Sequence, residues 1–300
     1  MKKVSIFHTF RQGPMLATLA RVAYSSITQQ FFESKGSIPD IPGQEYSAVV
    51  SPRSPSLIRD YMDHVGCNPN NYRGILPPHF FPQWGVPLLA QTIHSLPYDV
   101  SKILNGGAKF MVNKQLPATE PLKLRARLID LDDNGRRVIF NQQLITETDT
   151  APEALISEIK AILPLKSDKQ KTGPKKEKPR IHESAQEIGQ FYLSTEDGLN
   201  FARLTGDFNP VHWIEFYAQL SGFPGTFIHG FSSMAHAAEI LIKNRLSDRA
   251  DYLKSLEVKF IRPLFLPNSV SVFIHQNEIW IGHAPGGAAY LSGRFSLNDS

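Results

Sequence analysis

The chain has few of the features that mark several large classes of protein. Only one of its 300 residues is a cysteine, Cys67, which excludes an intramolecular disulfide and a thiolate metal cluster within one chain. Its apolar runs are broken by charge, proline or glycine well before the ~20 residues that a membrane-spanning helix needs. We therefore expect a protein of a reducing compartment, the cytoplasm, without a membrane span.

Motifs for phosphate binding and serine hydrolysis are also missing. The glycines at 43, 85 and 106–107 do not combine with a strand and a helix into a phosphate-binding loop, and no Gly-x-Ser-x-Gly segment occurs. The formal net charge is +4, and much of it lies in KSDKQKTGPKKEKPR, residues 166–180, which has no aromatic residue. This segment is typical of a solvated linker, so we expect no nucleic-acid partner.

The basic segment separates two halves that share an order of motifs. LPPHFFPQWGVPLLAQTI in the first half can be aligned with GFPGTFIHGFSSMAHAAEIL in the second, and Asn68-Pro69 falls opposite Asn209-Pro210. Three further residues recur after 150 positions: Lys109, Phe110 and Pro117 against Lys259, Phe260 and Pro267. We predict two copies of one fold whose sheets are continuous. The predicted boundaries are 1–165, including an N-terminal extension, 166–182 for the basic linker and 183–300.

The second half combines one long helix with several strands. GFSSMAHAAEILIKNRL, rich in small residues, predicts the helix. YLKSLEVKFIRPLF, SVSVFIHQNEIWIGHA and AAYLSGRFSL each predict a strand from their alternation and their β-branched or aromatic content. The sum is an α+β architecture in which an antiparallel sheet covers the helix.

One short window of the second half gathers the groups that acid/base chemistry needs. TGDFNPVHWIEFYA places Asp207, Asn209 and His212 in a turn that leads into a helix. A carboxylate and an imidazole that meet can share the two proton transfers of a hydration, and the ordinary histidine pKa of ~6.5 suits this task. Downstream, Gly230 opens the long helix, where a backbone amide can stabilise a developing oxyanion. The pattern predicts a pair that adds water to, or removes it from, an unsaturated acyl thioester.

These residues carry a family resemblance. LTGDFNPVHWIEFYA followed by FPGTFIHGFSSMAHA resembles the hydratase signature of the MaoC-like (R)-specific enoyl-CoA hydratases and dehydratases. The resemblance implies the hot-dog fold, a long central helix wrapped by a curved antiparallel sheet. It also implies lyase activity on 2-enoyl or (3R)-3-hydroxyacyl thioesters of CoA or acyl carrier protein, with no metal and no redox cofactor. Asp207 and His212 would hold the water, Asn209 would support their geometry, and Gly230 would lie in the oxyanion hole.

The first half resembles the degenerate partner domain of double hot-dog members of this family. The alignment puts Gly66 opposite Asp207 and Asn71 opposite His212, so both acid/base groups are missing from this copy. We expect it to supply a wall of the acyl pocket and the pseudo-dimer interface. A further pairing into homodimers is compatible with this plan.

Three more residues are assigned to substrate binding: His229, Phe231 and Arg262. Arg262 could touch the phosphates of a CoA thioester, although a lone basic residue on a strand is often only solvated. Asp207 could simply cap its turn, and His212 and His229 could be packed or structural. His236 and Glu239 lie close together on the long helix but lack a third metal ligand.

Two other function classes stay open at this point. One is an acyl-CoA thioesterase, because a single fold serves several activities. The other is a non-catalytic module that binds acyl thioesters, which the degenerate first copy suggests.

Overall fold

A computed structural model describes residues 4–10, 12–13, 17, 40–165 and 177–298. Its strands are β1 Tyr46–Val50, β2 Leu104–Val112, β3 Leu122–Asp133, β4 Arg137–Glu147, β5 Leu155–Pro164, β6 Gln186–Leu193, β7 Leu253–Phe260, β8 Asn268–His275, β9 Glu278–Gly282 and β10 Leu291–Leu297. Its α-helices are α1 Phe7–Phe10, α2 Pro55–Val65, α3 Pro82–Gln91, α4 Asp197–Thr205, α5 Glu215–Leu220 and α6 Gly230–Arg245. Several short 3-10 turns join them.

The strands form one antiparallel sheet in the order β1-β3-β4-β5-β2-β7-β10-β9-β8-β6. Outward from the central β2–β7 pair, the second half repeats the order of the first. Ala108 of β2 is paired with Val258 of β7, and these residues are 150 positions apart, the offset of the sequence repeat. The repeat is therefore a structural pseudo-twofold, and the prediction that the two sheets continue each other is confirmed.

The long helix α6 is the centre of the second half. It packs against β6, β7 and β9, and its alanines at 235, 237 and 238 are completely buried. Small side chains allow the helix and the sheet to approach closely. Lys243 and Arg245 in the last turn complement the negative end of the helix dipole. The predicted long helix of small residues is confirmed.

One strand prediction is wrong. The segment SVSVFIHQNEIWIGHA is not a single strand but a hairpin, in which β8 ends at His275 and β9 begins at Glu278. Gln276 in the connecting turn has φ +54°. Two-residue hairpin turns of this kind usually contain glycine or asparagine with glycine, and Gln276-Asn277 lacks glycine. The sequence pattern therefore did not predict the turn between the two strands.

The connection between the halves is only partly described. Strand β5 ends at Pro164 and β6 begins at Gln186, while residues 166–176 of the predicted linker lie outside the described residues. The predicted domain boundaries stay a prediction. Within the part of the chain that the structure describes, none of the helices combines the length and apolar character needed to cross a lipid bilayer.

Part of the N-terminal extension joins the two halves. The Gln12 side-chain amide donates to the carbonyl oxygens of Arg203 and Leu204, each at 3.1 Å. Its carbonyl oxygen accepts from Gln83 Nε2 at 3.0 Å. Gln83 lies on α3 and the two carbonyls belong to α4, so this glutamine links both copies.

Candidate active site

The predicted bend follows helix α4 directly. Gly206 ends the helix in the left-handed conformation, with φ +86°, which favours glycine because it has no side chain. The Asn209 side chain accepts a hydrogen bond from Val211 N at 3.4 Å and so caps the 3-10 turn Pro210–His212. Asp207 Oδ1 accepts from Asn209 N at 3.3 Å. The bend is thus held by its own hydrogen bonds and presents both the carboxylate and the imidazole.

The structure brings Asp207 and His212 together and adds His229. One potential ligand atom from each of these three side chains lies within 4.8 Å of the other two. His212 Nδ1 is 2.8 Å from the carbonyl oxygen of Phe227. Because a carbonyl oxygen only accepts, Nδ1 carries the proton, and Nε2 of the neutral ring is free to take one.

Burial keeps this pair of histidines uncharged. It lowers the pKa of His212, an effect that the charge of Asp207 opposes. Burial lowers the pKa of His229 to about 3, with a further contribution from His212. Desolvation disfavours the charged imidazolium in both cases. A neutral His212 is ready to act as a base near pH 7.

His229 holds the backbone of the bend. Its Nε2 donates to the carbonyl oxygen of Asp207 at 2.9 Å, and its ring lies 3.7 Å from that of His212, centroid to centroid. His229 is also among the residues that line the cavity described below. The hydrogen bond of its Nε2 atom, however, is made to the protein backbone.

Gly230 begins helix α6, as the sequence predicts. A Cβ atom here would lie 2.7–2.8 Å from the ring of Phe260, so a side chain would force that ring to move. The first N–H groups of a helix have no acceptor within it. Gly230 also lines the cavity.

Sequence reasoning missed a second glycine that shapes this site. A Cβ atom at Gly198 would lie 1.8 Å from the carbonyl oxygen of His212, so helix α4 and the 3-10 turn Pro210–His212 meet backbone to backbone. The one available signal was a glycine inside a helical pattern. A glycine inside a helix destabilises it by ~1 kcal/mol relative to alanine, so its presence usually has a packing reason.

A cavity of about 880 Å³ contains Asp207, His212 and Gly230 in its lining. Residues 102–106 of the first half, together with Ile162 and Pro164, line it as well. This volume lies within the usual range of small-molecule sites. The site is therefore a cleft between the two copies, and the first half supplies a wall as the resemblance implies.

The other two substrate-binding predictions have distinct surroundings. Phe231 is buried, lines the cavity and packs edge to face against Phe260, with 6.2 Å between ring centroids. Arg262 also lines the cavity, but its guanidinium donates to the carbonyl oxygens of Pro179 at 2.8 Å and Ala289 at 2.6 Å. Arg262 thus fastens residues 178–179 to the rim of the cavity.

Two clusters have side chains close enough to hold a metal ion: Asp207 with His212 and His229, and Cys67 with His79 and Glu239. In the second cluster His79 Nδ1 is 2.8 Å from the Tyr61 hydroxyl, and Nε2 is 2.8 Å from Glu239 Oε1. Both ring nitrogens of His79 are therefore engaged. His236 is not one of these potential ligands, and its ring stacks on Phe191, with 4.6 Å between the ring centroids.

The alignment of the two copies shifts by one residue at the bend. Gly66 ends α2 with φ +80°, just as Gly206 ends α4. Its counterpart is therefore Gly206, and Cys67 is the counterpart of Asp207. The shift arises because the first bend is one residue shorter before its capping asparagine, Asn68. Asn71 remains opposite His212, each being the third residue of its 3-10 turn.

Known proteins match both the sequence and the fold. The family model "MaoC like domain" matches residues 171–284. The 3-hydroxyacyl-thioester dehydratase Y of Mycobacterium tuberculosis is 24% identical over 188 residues, which cover 60% of this chain and 64% of that protein. The chain therefore spans just under two thirds of the length of this relative.

Solved structures show the same architecture. HtdX of Mycobacterium tuberculosis superposes with a TM-score of 0.67 at 14% identity, over 85% of this chain and all of that one. A conserved hypothetical protein of the same organism, described as having a double hot-dog fold, gives a TM-score of 0.56 at 13% identity, over 85% and 96% of the two chains. The predicted α+β fold of two tandem hot-dog units forming a pseudo-dimer is confirmed.

Proposed function

We propose, because residues 171–284 match the MaoC like domain model, that this protein is a hydro-lyase acting on acyl thioesters. It would reversibly hydrate trans-2-enoyl thioesters to (3R)-3-hydroxyacyl thioesters. The similarity to a 3-hydroxyacyl-thioester dehydratase supports this class of reaction. The observation that carries the proposal is the meeting of Asp207, His212 and Gly230 in the lining of one cavity.

In the hydration direction, Asp207 and His212 hold one water molecule against the β-carbon. His212 Nε2 takes a proton from the water as its oxygen bonds to that carbon. The electron pair of the C=C bond moves toward the carbonyl and forms an enolate, whose negative oxygen the Gly230 amide stabilises. The imidazolium, stabilised by the Asp207 carboxylate, then returns its proton to the α-carbon. One water is added, and both side chains regain their starting states.

The lining of the cavity suits a phosphorylated carrier. It includes Lys102 and Lys178, and lysine side chains favour phosphate groups. Both CoA and acyl carrier protein present a phosphopantetheine arm, so either could deliver the acyl group.

The test is the loss of enoyl absorbance from a series of trans-2-enoyl-CoA substrates. We expect turnover by the wild-type protein and a loss of about 10²- to 10⁴-fold in kcat for Asp207→Asn and His212→Ala, because each removes one acid/base group. Asn71→Ala, the change at the equivalent first-half position, is the matched control and should keep full activity.

Three results would contradict the proposal. Unchanged turnover in both Asp207→Asn and His212→Ala would remove the assigned roles. Release of free CoA from saturated acyl-CoA would indicate a thioesterase. Tight binding of enoyl-CoA with no turnover at any chain length would indicate a binding module.

A further inference from the structure

A pair of buried polar side chains lies behind the candidate site. His64 of α2 and Asp197 of α4 have side chains only 1% and 0% exposed, and His64 Nδ1 is 4.0 Å from Asp197 Oδ1. Asp197 Oδ2 accepts from the amide and the hydroxyl of Ser194, at 2.6 and 3.0 Å. Among the described residues, Asp197 Oδ1 and His64 Nε2 have no hydrogen-bond partner. A buried polar atom without a hydrogen bond is unfavourable, because it has lost its contact with water and gained no partner.

The pair exists on only one side of the pseudo-twofold. Helices α2 and α4 end at glycines 140 residues apart. At this offset the counterpart of Asp197 is Leu57 and the counterpart of His64 is Leu204, and both leucines are buried in the core. Two apolar side chains are therefore compatible with the fold at this position. Stability alone does not explain why a polar pair occupies it on the other side.

The ring of Phe201 connects the pair with the candidate site. His64 and His229 both pack against Phe201, with ring centroids 6.0 and 5.1 Å away. His229 Nδ1 and Ser232 Oγ are buried and, within the described ranges, have no hydrogen-bond partner. Since His229 Nε2 carries the proton donated to Asp207, Nδ1 of the neutral ring is a bare acceptor.

We infer that a buried water molecule bridges His64 Nε2, His229 Nδ1 and Ser232 Oγ, which makes Asp197 and His64 positioning residues for His229 and, through it, for Asp207. The water donates its two protons to the two ring nitrogens and accepts the serine proton. Three bonds are typical of a buried water. His64 Nδ1–H then points toward the Asp197 carboxylate. The inference rests on the proposed function.

The consequence concerns the tautomer of His229. A donor at Nδ1 fixes the proton on Nε2, and only this tautomer can donate to the Asp207 carbonyl oxygen. Without the bridge, the ring is no longer held to this hydrogen bond, and the bend that presents the Asp207 carboxylate loosens. Misplacement of a catalytic group by about 1 Å is enough to slow a reaction strongly.

The kinetic test compares two substitutions of His64. His64→Leu, which installs the residue type of the counterpart position, should lower kcat for enoyl-CoA hydration about tenfold and leave KM unchanged. His64→Gln keeps a polar group near the water and should retain most of kcat. His8→Gln is the matched control and should behave as wild type. The Nε2 atom of His8 lies 2.7 Å from Oδ2 of Asp60, and Asp60 lies on α2, the helix that carries His64. A wild-type kcat in His64→Leu, or an equal loss in His64→Gln, would overturn the inference.

A second readout does not need activity. In protein labelled with 15N at histidine, the ring resonances of His229 can be assigned from their loss in His229→Gln. We expect the Nε2–H tautomer in the wild type and a shifted Nδ1 resonance in His64→Leu, but not in His8→Gln. Unchanged His229 resonances in His64→Leu would overturn the bridge. An inactive wild-type protein with the expected resonances would instead refute only the proposed function.

Discussion

His79 and His229 occupy equivalent positions in the two halves, and their surroundings differ. Both ring nitrogens of His79 are engaged, by Tyr61 and by Glu239. The Tyr72 hydroxyl also donates to Glu239, at 2.6 Å. His229 has one nitrogen bound to a backbone carbonyl and faces the ring of His212. The first half has turned the position into a closed network, whereas the second keeps titratable groups at a cavity.

The residue after each histidine differs in the same sense. Phe80 is completely buried and stacks on Tyr61 with 4.0 Å between ring centroids, whereas its counterpart Gly230 leaves its backbone open to the cavity. The first half retains a pocket of about 230 Å³, lined in part by Asn71 and Tyr72. At these positions the second half differs from the first by a bare backbone amide, by a histidine ring nitrogen, His229 Nδ1, that has no partner among the described residues, and by a larger cavity.

The largest expected effect among the substitutions that test this comparison comes from Gly230→Ala. The new methyl group collides with the Phe260 ring and displaces the proposed oxyanion donor, so kcat should fall about 10²- to 10³-fold. Phe80→Ala, the equivalent change in the first half, should instead lower the free energy of unfolding by about 3–5 kcal/mol. Its kcat per folded molecule should stay at the wild-type level. Enoyl-CoA turnover and urea unfolding of both variants measure these effects. A stability loss without a kcat loss in Gly230→Ala, or a kcat loss without a stability loss in Phe80→Ala, would contradict the expectation.

Gly198→Ala is expected to have a smaller effect. Its methyl group would overlap the His212 carbonyl oxygen, so the turn must shift by about 1 Å or more, which can cost about 10²-fold in rate. The KM for substrate should change less, because residue 198 itself is not among the residues that line the cavity. Steady-state kinetics decide the outcome. Gly135→Ala strains a turn with φ +72° outside the cavity lining and is the control for a loss of stability alone. A Gly198→Ala variant with wild-type kcat would show that the turn tolerates displacement.

The smallest effect concerns stability against acid. Burial lowers the pKa of His64 to about 4 and of His229 and His236 to about 3. The unfolded chain therefore binds these protons first, so their stability contribution is complete above pH ~6.5 and is lost as the pH falls toward 4 and 3. Each histidine lowers the free energy of unfolding by about 1.4 kcal/mol per pH unit in this range.

Urea unfolding between about pH 5.5 and pH 4.5 measures this slope, because the unfolded histidine is protonated and the folded one is not in this range. His236→Gln removes one buried titrating ring and should make the slope shallower by about 1.4 kcal/mol per pH unit. His94→Gln, at an exposed position, should leave it unchanged. A slope in His236→Gln equal to that of the wild type would show that this ring is not neutral in the folded protein.

The bend, the glycine at the start of α6 and the repeated sheet could be predicted because their signals are local. Asn209-Pro210 marks a turn, small residues mark α6, and strand alternation marks the sheet. A fixed offset between two segments then revealed the duplication. Each of these features depends on residues close together in the chain, so sequence patterns were sufficient.

The rest depends on contacts between distant segments. His64 meets Asp197 from the other half of the chain, and Gly198 meets the turn of His212 after an intervening helix and bend. Neither contact has a sequence pattern, because a lone histidine or glycine is common in packed positions. The charge of Arg262 can likewise be read from the sequence, but the backbone carbonyl oxygens to which it donates cannot. Only the folded arrangement shows these relationships.

The central claim is that hydration takes place at the bend of the second half and not at its counterpart. The most direct measurement is the rate of trans-2-enoyl-CoA hydration by two double variants, Asp207→Asn with His212→Asn, and Cys67→Ala with Asn71→Ala. We predict a loss of about 10⁴-fold for the first, no greater than that of its more damaging single change, because the two groups act as a unit. The second should keep wild-type turnover. Near-normal hydration by the first variant would contradict the account.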